Sequence, residues 1–403
     1  MPFSTLCPVN KVAIRFTRDR ATWLVYLQIG VFATYLYGLS SALQILRAEQ
    51  GVSQTVAGLH GISMAVCGVA AGLALPYLTR RFGRRATTWA GLVGINLGVA
   101  LVFASSAVPV TILGYGLASG FGTFTLYTGM AALSDHHGPA GPAALNEANA
   151  FGVIFGIVAP YLVSAAAQSA FGWRAALLLT PLSTVLLALA LGRHWFPEKV
   201  VETAEHHEGP PPGFGWRFYV AGGVLFCCVA LEFTFNLWSS ALVTTRTGLS
   251  PAVAASTLTA LTTGLAVGRF VGTPLALRMR TTSLLVGALA VTLGGWLLFW
   301  LSTNPVLSYA GVFVCGLGIA LQFPLALAGI IANSGNRPDR ASAIGSIWAS
   351  TAVGVGPLLL GALADAFGTV NAFLMVPVLI ALAVSGLVSA RPRSSGSSPA
   401  PAS

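Results

Sequence analysis

The sequence predicts an all-α integral membrane protein whose twelve transmembrane helices form two pseudo-symmetric halves of six. Three observations carry this. Of the 403 residues, 55% are apolar and 8% are charged, whereas a soluble domain carries roughly a quarter charged residues. Windows of about 20 apolar residues, enough to cross a ~30 Å hydrocarbon core as helix, recur along nearly the whole chain. Short matches spaced by about half the chain length tie its front to its back. A net charge of +10 would suggest nucleic acid or another anionic partner for a soluble protein. Here the basic residues stand in short clusters between apolar stretches, so the expected partner is the lipid bilayer and not nucleic acid.

The spans are expected at 22–46, 54–78, 86–107, 109–133, 144–169, 173–192, 216–243, 252–276, 281–302, 305–332, 341–365 and 370–389. Transmembrane strands would read as ~10-residue alternating segments, and the sequence has none. Seventeen of the 21 basic residues fall before the first span, after the last, or in alternate loops such as Arg80, Arg81, Arg84, Arg85 and Arg278, Arg280. Arg47, Arg174 and Arg246 lie in the other loops, and Arg269 lies within a span. Cytoplasmic loops retain Lys and Arg, which predicts a multi-pass plasma-membrane protein with both termini in the cytoplasm. The first 20 residues are polar and basic, with no apolar core of a removable signal peptide. The five cysteines show no paired spacing and are expected to pack, without a disulfide or zinc role.

The internal repeat sets the domain plan. Gly120-Phe-Gly122 matches Gly316-Leu-Gly318, and Ala159-Pro160 with Phe171-Gly172 matches Gly356-Pro357 with Phe367-Gly368, shifts of 196 or 197. Ser40-Ser-Ala-Leu43 returns as Ser239-Ser-Ala-Leu242 and Gly51-Val-Ser53 as Gly248-Leu-Ser250, shifts of 199 and 197. The expected units are a cytoplasmic segment 1–21, halves at 22–192 and 216–389, a linker 193–215 and a disordered tail 390–403. The linker carries Lys199, four glutamates and Pro210-Pro-Pro212, a solvated composition; His206 and His207 within it read as soluble residues and not as a metal site.

This plan of six plus six helices, with basic loops after the second and eighth spans, resembles the major facilitator superfamily of secondary transporters over about residues 20–390. That family's loop between spans two and three reads Gly-x-Leu-Ala-Asp-Arg-x-Gly-Arg-Arg. Leu78, Arg81, Gly83, Arg84 and Arg85 match it, while Pro76 replaces the first Gly and Arg80 the Asp. The corresponding segment Thr273-Pro-Leu275-Ala276-Leu277-Arg278 also lacks the Asp. The resemblance implies that this carboxylate helps lock the family's cytoplasmic face beside a helix N-terminus, so a different lock is expected here. Phe171-Gly-Trp173-Arg174 is a recurrent family sequence matched in full. Gly152, Gly156 and Pro160 partly match the antiporter signature, with Ala159 in place of its Gly. Glu232, Trp238 and Gly268-Arg269 resemble the fucose-permease-type proton symporters.

An ionisable group at the bilayer midplane costs at least ~2.5 kcal/mol and is a functional candidate by default. Glu232 lies about 24 Å into the seventh span at 1.5 Å per residue, and Asn236 and Ser239 share its face at i+4 and i+7. A carboxyl withdrawn from water can load and release a proton near neutral pH, so Glu232 and Asn236 are the candidate coupling and substrate group. The competing role is a neutral, hydrogen-bonded structural glutamate. Arg269 lies about 9 Å nearer the cytoplasm and is expected to serve the gate or packing more than a direct pair with Glu232. The further gate candidates are Arg81, Gly83, Arg84 and Arg85, with Glu147 and Asp135 as partners for these arginines. Asp365 reads as a boundary residue and His60 as a structural histidine.

The family's central pore implies cavity candidates: Tyr35, Tyr37 and Gln44; Thr123 and Tyr127; Trp238; Gln322; and Ser346, Trp348 and Ser350. Aromatic and amide groups without a fixed basic pair favour a neutral or amphipathic solute. Gly-x-x-Gly spacings support close helix packing and bending. With no phosphate-binding loop and no cluster of catalytic groups, the sequence reads as a transporter and not an enzyme. It needs no cofactor or metal and is expected to work as a monomer, moving a small organic solute by alternating access with coupling to protons. The alternative is a proton-driven exporter of drugs or metabolites.

Overall fold

The computed structural model describes residues 18–137, 141–196, 213–333 and 338–389. The segment 1–17, most of the linker including His206 and His207, and the tail from 390 lie outside them. All regular structure among the described residues is helical. The first half holds α1 (Arg20–Gln50), α2 (Gln54–Ala104), α3 (Val108–His137), α4 (Gly141–Ala167), α5 (Arg174–Leu177) and α6 (Leu179–Leu191). The second holds α7 (Trp216–Thr247), α8 (Pro251–Ala254), α9 (Thr257–Arg278), α10 (Thr281–Leu301), α11 (Pro305–Ala332), α12 (Pro338–Phe367), α13 (Thr369–Ala372) and α14 (Met375–Ser389).

Ten stretches among the described residues are long and apolar enough to span a bilayer, with α5–α6, α8–α9 and α13–α14 each forming one. The expected separate spans 54–78 and 86–107 run instead as one 51-residue element, α2, broken at Gly83. There φ is 77° and ψ 161°, a region open in practice to glycine alone, and the chain turns back without a loop. Counted as two crossings and joined by the 30-residue α3, α2 restores the expected twelve.

The repeat matches fall at equal structural roles. Gly51 and Gly248 end α1 and α7 in the left-handed conformation, at φ 63° and 72°. Ser53 and Ser250 cap the next helices by accepting from Val56 N and Val253 N. Gly172 and Gly368 both take positive φ. Such caps satisfy the orphan amides and carbonyls of helix ends, which in a membrane have no water to turn to.

The halves meet along two main seams, α2 on α12 and α4 on α9. By the repeat, α9 corresponds to the first part of α2 and α12 to α4, so one seam is built twice. Among the described residues, the hydrogen bonds crossing between halves lie at the end opposite the arginine-rich loops, here the far end. They include Gln44 Nε2 to Leu237 O (3.3 Å), Ser164 Oγ to Val253 O (3.4 Å) and Thr259 Oγ1 to Ile157 O (3.1 Å). The close contacts across the main seam, such as Gly58 on Leu358, Gly61 on Pro357 and Gly354 on Ala65, lie in the same far-end portion of the helices.

Candidate transport site

Glu232 sits halfway along α7, and Asn236 one turn on donates from Nδ2 to the Glu232 carbonyl oxygen at 2.8 Å. That bond leaves the Glu232 carboxylate outside the helix's own network. The residues that follow, Thr234 to Val243, are all buried, whereas Glu232 keeps partial access. Tyr37 of α1, Glu232 and Arg269 of α9 lie within Coulombic range of one another. Three helices thus bring a phenol, a carboxylate and a guanidinium to one region in mid-bundle.

Tyr37 is held by close helix approach, since its ring lies where a Cβ on Gly156 of α4 would be, 2.7 Å away. One turn earlier Gly152 faces Ile29 of α1, so the Gly-x-x-x-Gly spacing read from the sequence is the bed of α1 on α4. Tyr35, two residues before Tyr37, faces α3 instead, its hydroxyl 2.8 Å from where a Cβ on Gly122 would stand.

The remaining cavity candidates divide. Thr123 is half-buried and donates to Ser119 O at 3.1 Å, and Tyr127 one turn on is 49% exposed. Ser346 is exposed, and Trp348, half-buried with Ser350, lays its indole against Gly222 of α7. The other three are packing groups in this conformation. Trp238 is fully buried and donates from Nε1 to Pro357 O at 3.0 Å. Gln322 is buried, with Nε2 on Thr292 Oγ1 at 2.7 Å. Gln44 bridges the halves and accepts from Arg47 Nε at 3.0 Å.

At the basic end Asp135 pairs with Arg84, and Arg85 donates to Gly192 O at 2.8 Å, while Arg81 is exposed. Glu147 differs from expectation: it is held by Arg18 and by the Tyr26 hydroxyl at 2.8 Å, not by the loop arginines. The α1 and α4 termini meet there, so Arg18 reaches it first. Asp19 caps α1 by accepting from Thr22 N at 2.8 Å and pairs with His136 at 2.9 Å. Partial burial pushes the Asp19 carboxyl up, but the hydrogen bonds from Thr22 and the neighbouring His136 outweigh it and hold the group below the usual carboxylate range.

Sequence reasoning passed over Glu49, which accepts from Trp173 Nε1 (3.2 Å), Arg174 Nη1 (2.7 Å) and Ser106 Oγ (2.6 Å). This carboxylate explains why the Trp173-Arg174 sequence matters, and an arginine in a far-end loop was the signal that a partner should exist. His60 is structural as read, buried with its ring nitrogens 2.9 Å from Ala57 O and 3.0 Å from Thr111 Oγ1.

A bundle of spanning helices in two repeated sets around a mid-depth charged site defines a membrane transporter. The family model described as the Major Facilitator Superfamily matches residues 22–243 and again 220–403. The chain belongs to that superfamily and is a secondary transporter. No curated protein matches it. Solved structures share the fold at low identity. A bacterial homologue of the human lysosomal transporter Spinster is 12% identical, with 93% of this chain and 94% of that one covered and a TM-score of 0.68. A point mutant of the nucleoside transporter NupG is 13% identical over 93% and 99% of the two chains, TM-score 0.72. A point mutant of the E. coli fucose:proton symporter FucP is 18% identical over 91% and 98%, TM-score 0.58.

Proposed function

We propose that the protein is a proton-coupled transporter of a small organic solute, with Glu232 as its coupling carboxylate. The observation that carries this is the position of Glu232, halfway along a spanning helix with Arg269 and Tyr37 in Coulombic range. A charge so placed is expensive unless it is used. Protonation of Glu232 alters its attraction to Arg269, and that difference couples proton occupancy to the arrangement of α7 against α9 and α1. The hydrogen bonds between the halves gather away from the arginine-rich end, read as cytoplasmic, which supports an inward-open state. Tyr35, Thr123 and Tyr127 supply aromatic and hydroxyl groups suited to a neutral or amphipathic solute. The fucose:proton symporter, which shares the fold, supports proton coupling as the mode.

The test uses purified protein in liposomes. Glu232→Gln is expected to abolish accumulation driven by a pH gradient while retaining solute counterflow. Undiminished gradient-driven uptake in that variant would sink the proposal. Expression in cells separates import from export: an importer raises solute uptake, an antiporting exporter raises tolerance.

A further inference from the structure

The seam between α2 and α12 is closed at the far end by a contact absent from its repeat-related twin. Gly354, Leu358, Gly361 and Asp365 form one stripe along α12. The first three lie against the opening turns of α2: Gly354 on Ile62 and Ala65, Leu358 on Gly58, and Gly361 on the backbone of Gln54, whose carbonyl oxygen is 2.6 Å from where a Cβ on Gly361 would stand. At the end of the stripe the Asp365 carboxylate accepts Gln54 N at 2.8 Å and Thr55 N at 2.6 Å. Beside it Gln54 Nε2 donates to Thr369 Oγ1 at 2.7 Å. Ser53 takes the Val56 amide, so first-turn donors of α2 are satisfied partly within its own half and partly by the other.

The twin seam has neither partner. Under the shift of 197, Asp365 corresponds to Gln168, whose Nε2 turns back to Ser164 O at 3.0 Å within its own half. Gln54 corresponds to Pro251, which has no N–H to offer. The contact is one-sided, and it joins a full negative charge to the positive end of a long helix.

We propose that Asp365 is a gate latch: its carboxylate on the α2 N-terminus holds the far end shut, and its release is a step in opening the cavity to that side. The inference rests on the transporter reading but not on the proton or the solute, because its test measures conformation alone. Opening parts α2 from α12 at this point, so the Gln54 and Thr55 amides exchange the carboxylate for water. Each opening therefore breaks two charge-assisted bonds, and a variant without them opens more readily.

The experiment is electron spin-pair distance measurement on full-length protein in liposomes without solute. One pair of labels sits at the far end, on Ala107 and Val306, and another at the basic end, on Phe82 and Met279. Asp365→Asn is expected to raise the long-distance population at the far end about twofold to fivefold, the range of an exposed helix-terminus charge contact, with reciprocal shortening at the basic end. Asp365→Glu should keep most of the closed population. Gln54→Pro copies the twin seam, removes one donor at a helix position that tolerates proline, and should shift both distances in the same direction as Asp365→Asn does. Gln168→Ala should leave both unchanged. Wild-type distributions at both ends in Asp365→Asn and Gln54→Pro would overturn the proposal, as would an equal shift in Gln168→Ala. A far-end change without the reciprocal basic-end change would also overturn it, since that is local loosening and not a gate.

Discussion

The two halves share a backbone plan and differ in what their charges hold. At three repeat-related positions the second half carries Glu232, Arg269 and Asp365 where the first carries Ala33, Gly72 and Gln168. Among the described residues, the ion pairs within 4 Å are Arg18–Glu147, Arg84–Asp135, His136–Asp19 and Arg174–Glu49, and all belong to the first half. These first-half pairs tie that half to itself, whereas Asp365 reaches across the seam and Glu232 and Arg269 stand in Coulombic range on neighbouring helices. A repeat copies helix lengths and caps because both halves solve the same packing problem. Charge has no such constraint, and its divergence separates a braced half from one whose contacts change with state.

That comparison can be broken by variants on either side of it. The largest effect is expected at the cavity. Arg269→Gln should lower solute flux in liposomes by about tenfold, because it withdraws the positive charge in Coulombic range of Glu232. Gly72→Ala, at the matching position with nothing within 4 Å of its Cβ, should leave flux near wild type. Equal losses in the two would erase the distinction.

The next effect is structural and belongs to the first half. Gly83→Ala forces a side chain into a glycine-only conformation and should cost roughly 2 kcal/mol, seen as a lower melting temperature in detergent. Arg280→Ala, at the equivalent turn where φ is −65°, should not change it. Smaller still, Glu49→Gln weakens the charge-assisted bonds to Trp173 and Arg174 and should cost about 1 kcal/mol, the usual ceiling for a partly exposed pair.

The smallest is Asp19→Ala, about 1 kcal/mol or less for a lost helix cap. Because folding lowers the Asp19 pKa, its contribution is present above the unfolded value of about 4 and fades as pH falls through the folded value. Melting curves of wild type and variant should differ at pH 7 and converge in strong acid. A gap that persists unchanged there would mean that the carboxylate charge contributes nothing.

Much of the fold was legible because bilayer physics writes it into composition. Apolar length, basic loops and the offset of about 197 residues each follow from a requirement that every half must meet. The Gly83 turn could be read as a motif, but not as the hinge that fuses two spans, since φ is a property of the closed hairpin. Of the proposed site, Glu232 was legible by its depth, and Tyr37 and Arg269 as candidates without the proximity that joins them to it. Trp238, Gln322 and Gln44 have the chemistry of cavity groups, yet each has a packed or seam-bridging partner in the fold. Glu49 went unread, and Asp365 was read only as a boundary residue, for the opposite reason: each meets partners more than 50 residues away, beyond any local pattern.

By itself, then, the sequence determined that this chain crosses a membrane many times, that its second half repeats its first, and that one carboxylate lies at a depth where lipid would exclude it. These follow from local hydropathy and spacing, which act through the solvent and need no knowledge of neighbours. Tertiary structure alone decided that Arg18 and not a loop arginine holds Glu147, that Tyr37 and Arg269 come within Coulombic range of Glu232, and that Asp365 caps a helix of the opposite half. Electrostatic and hydrogen-bond partners are chosen by distance in space, and only the packed helices set that distance.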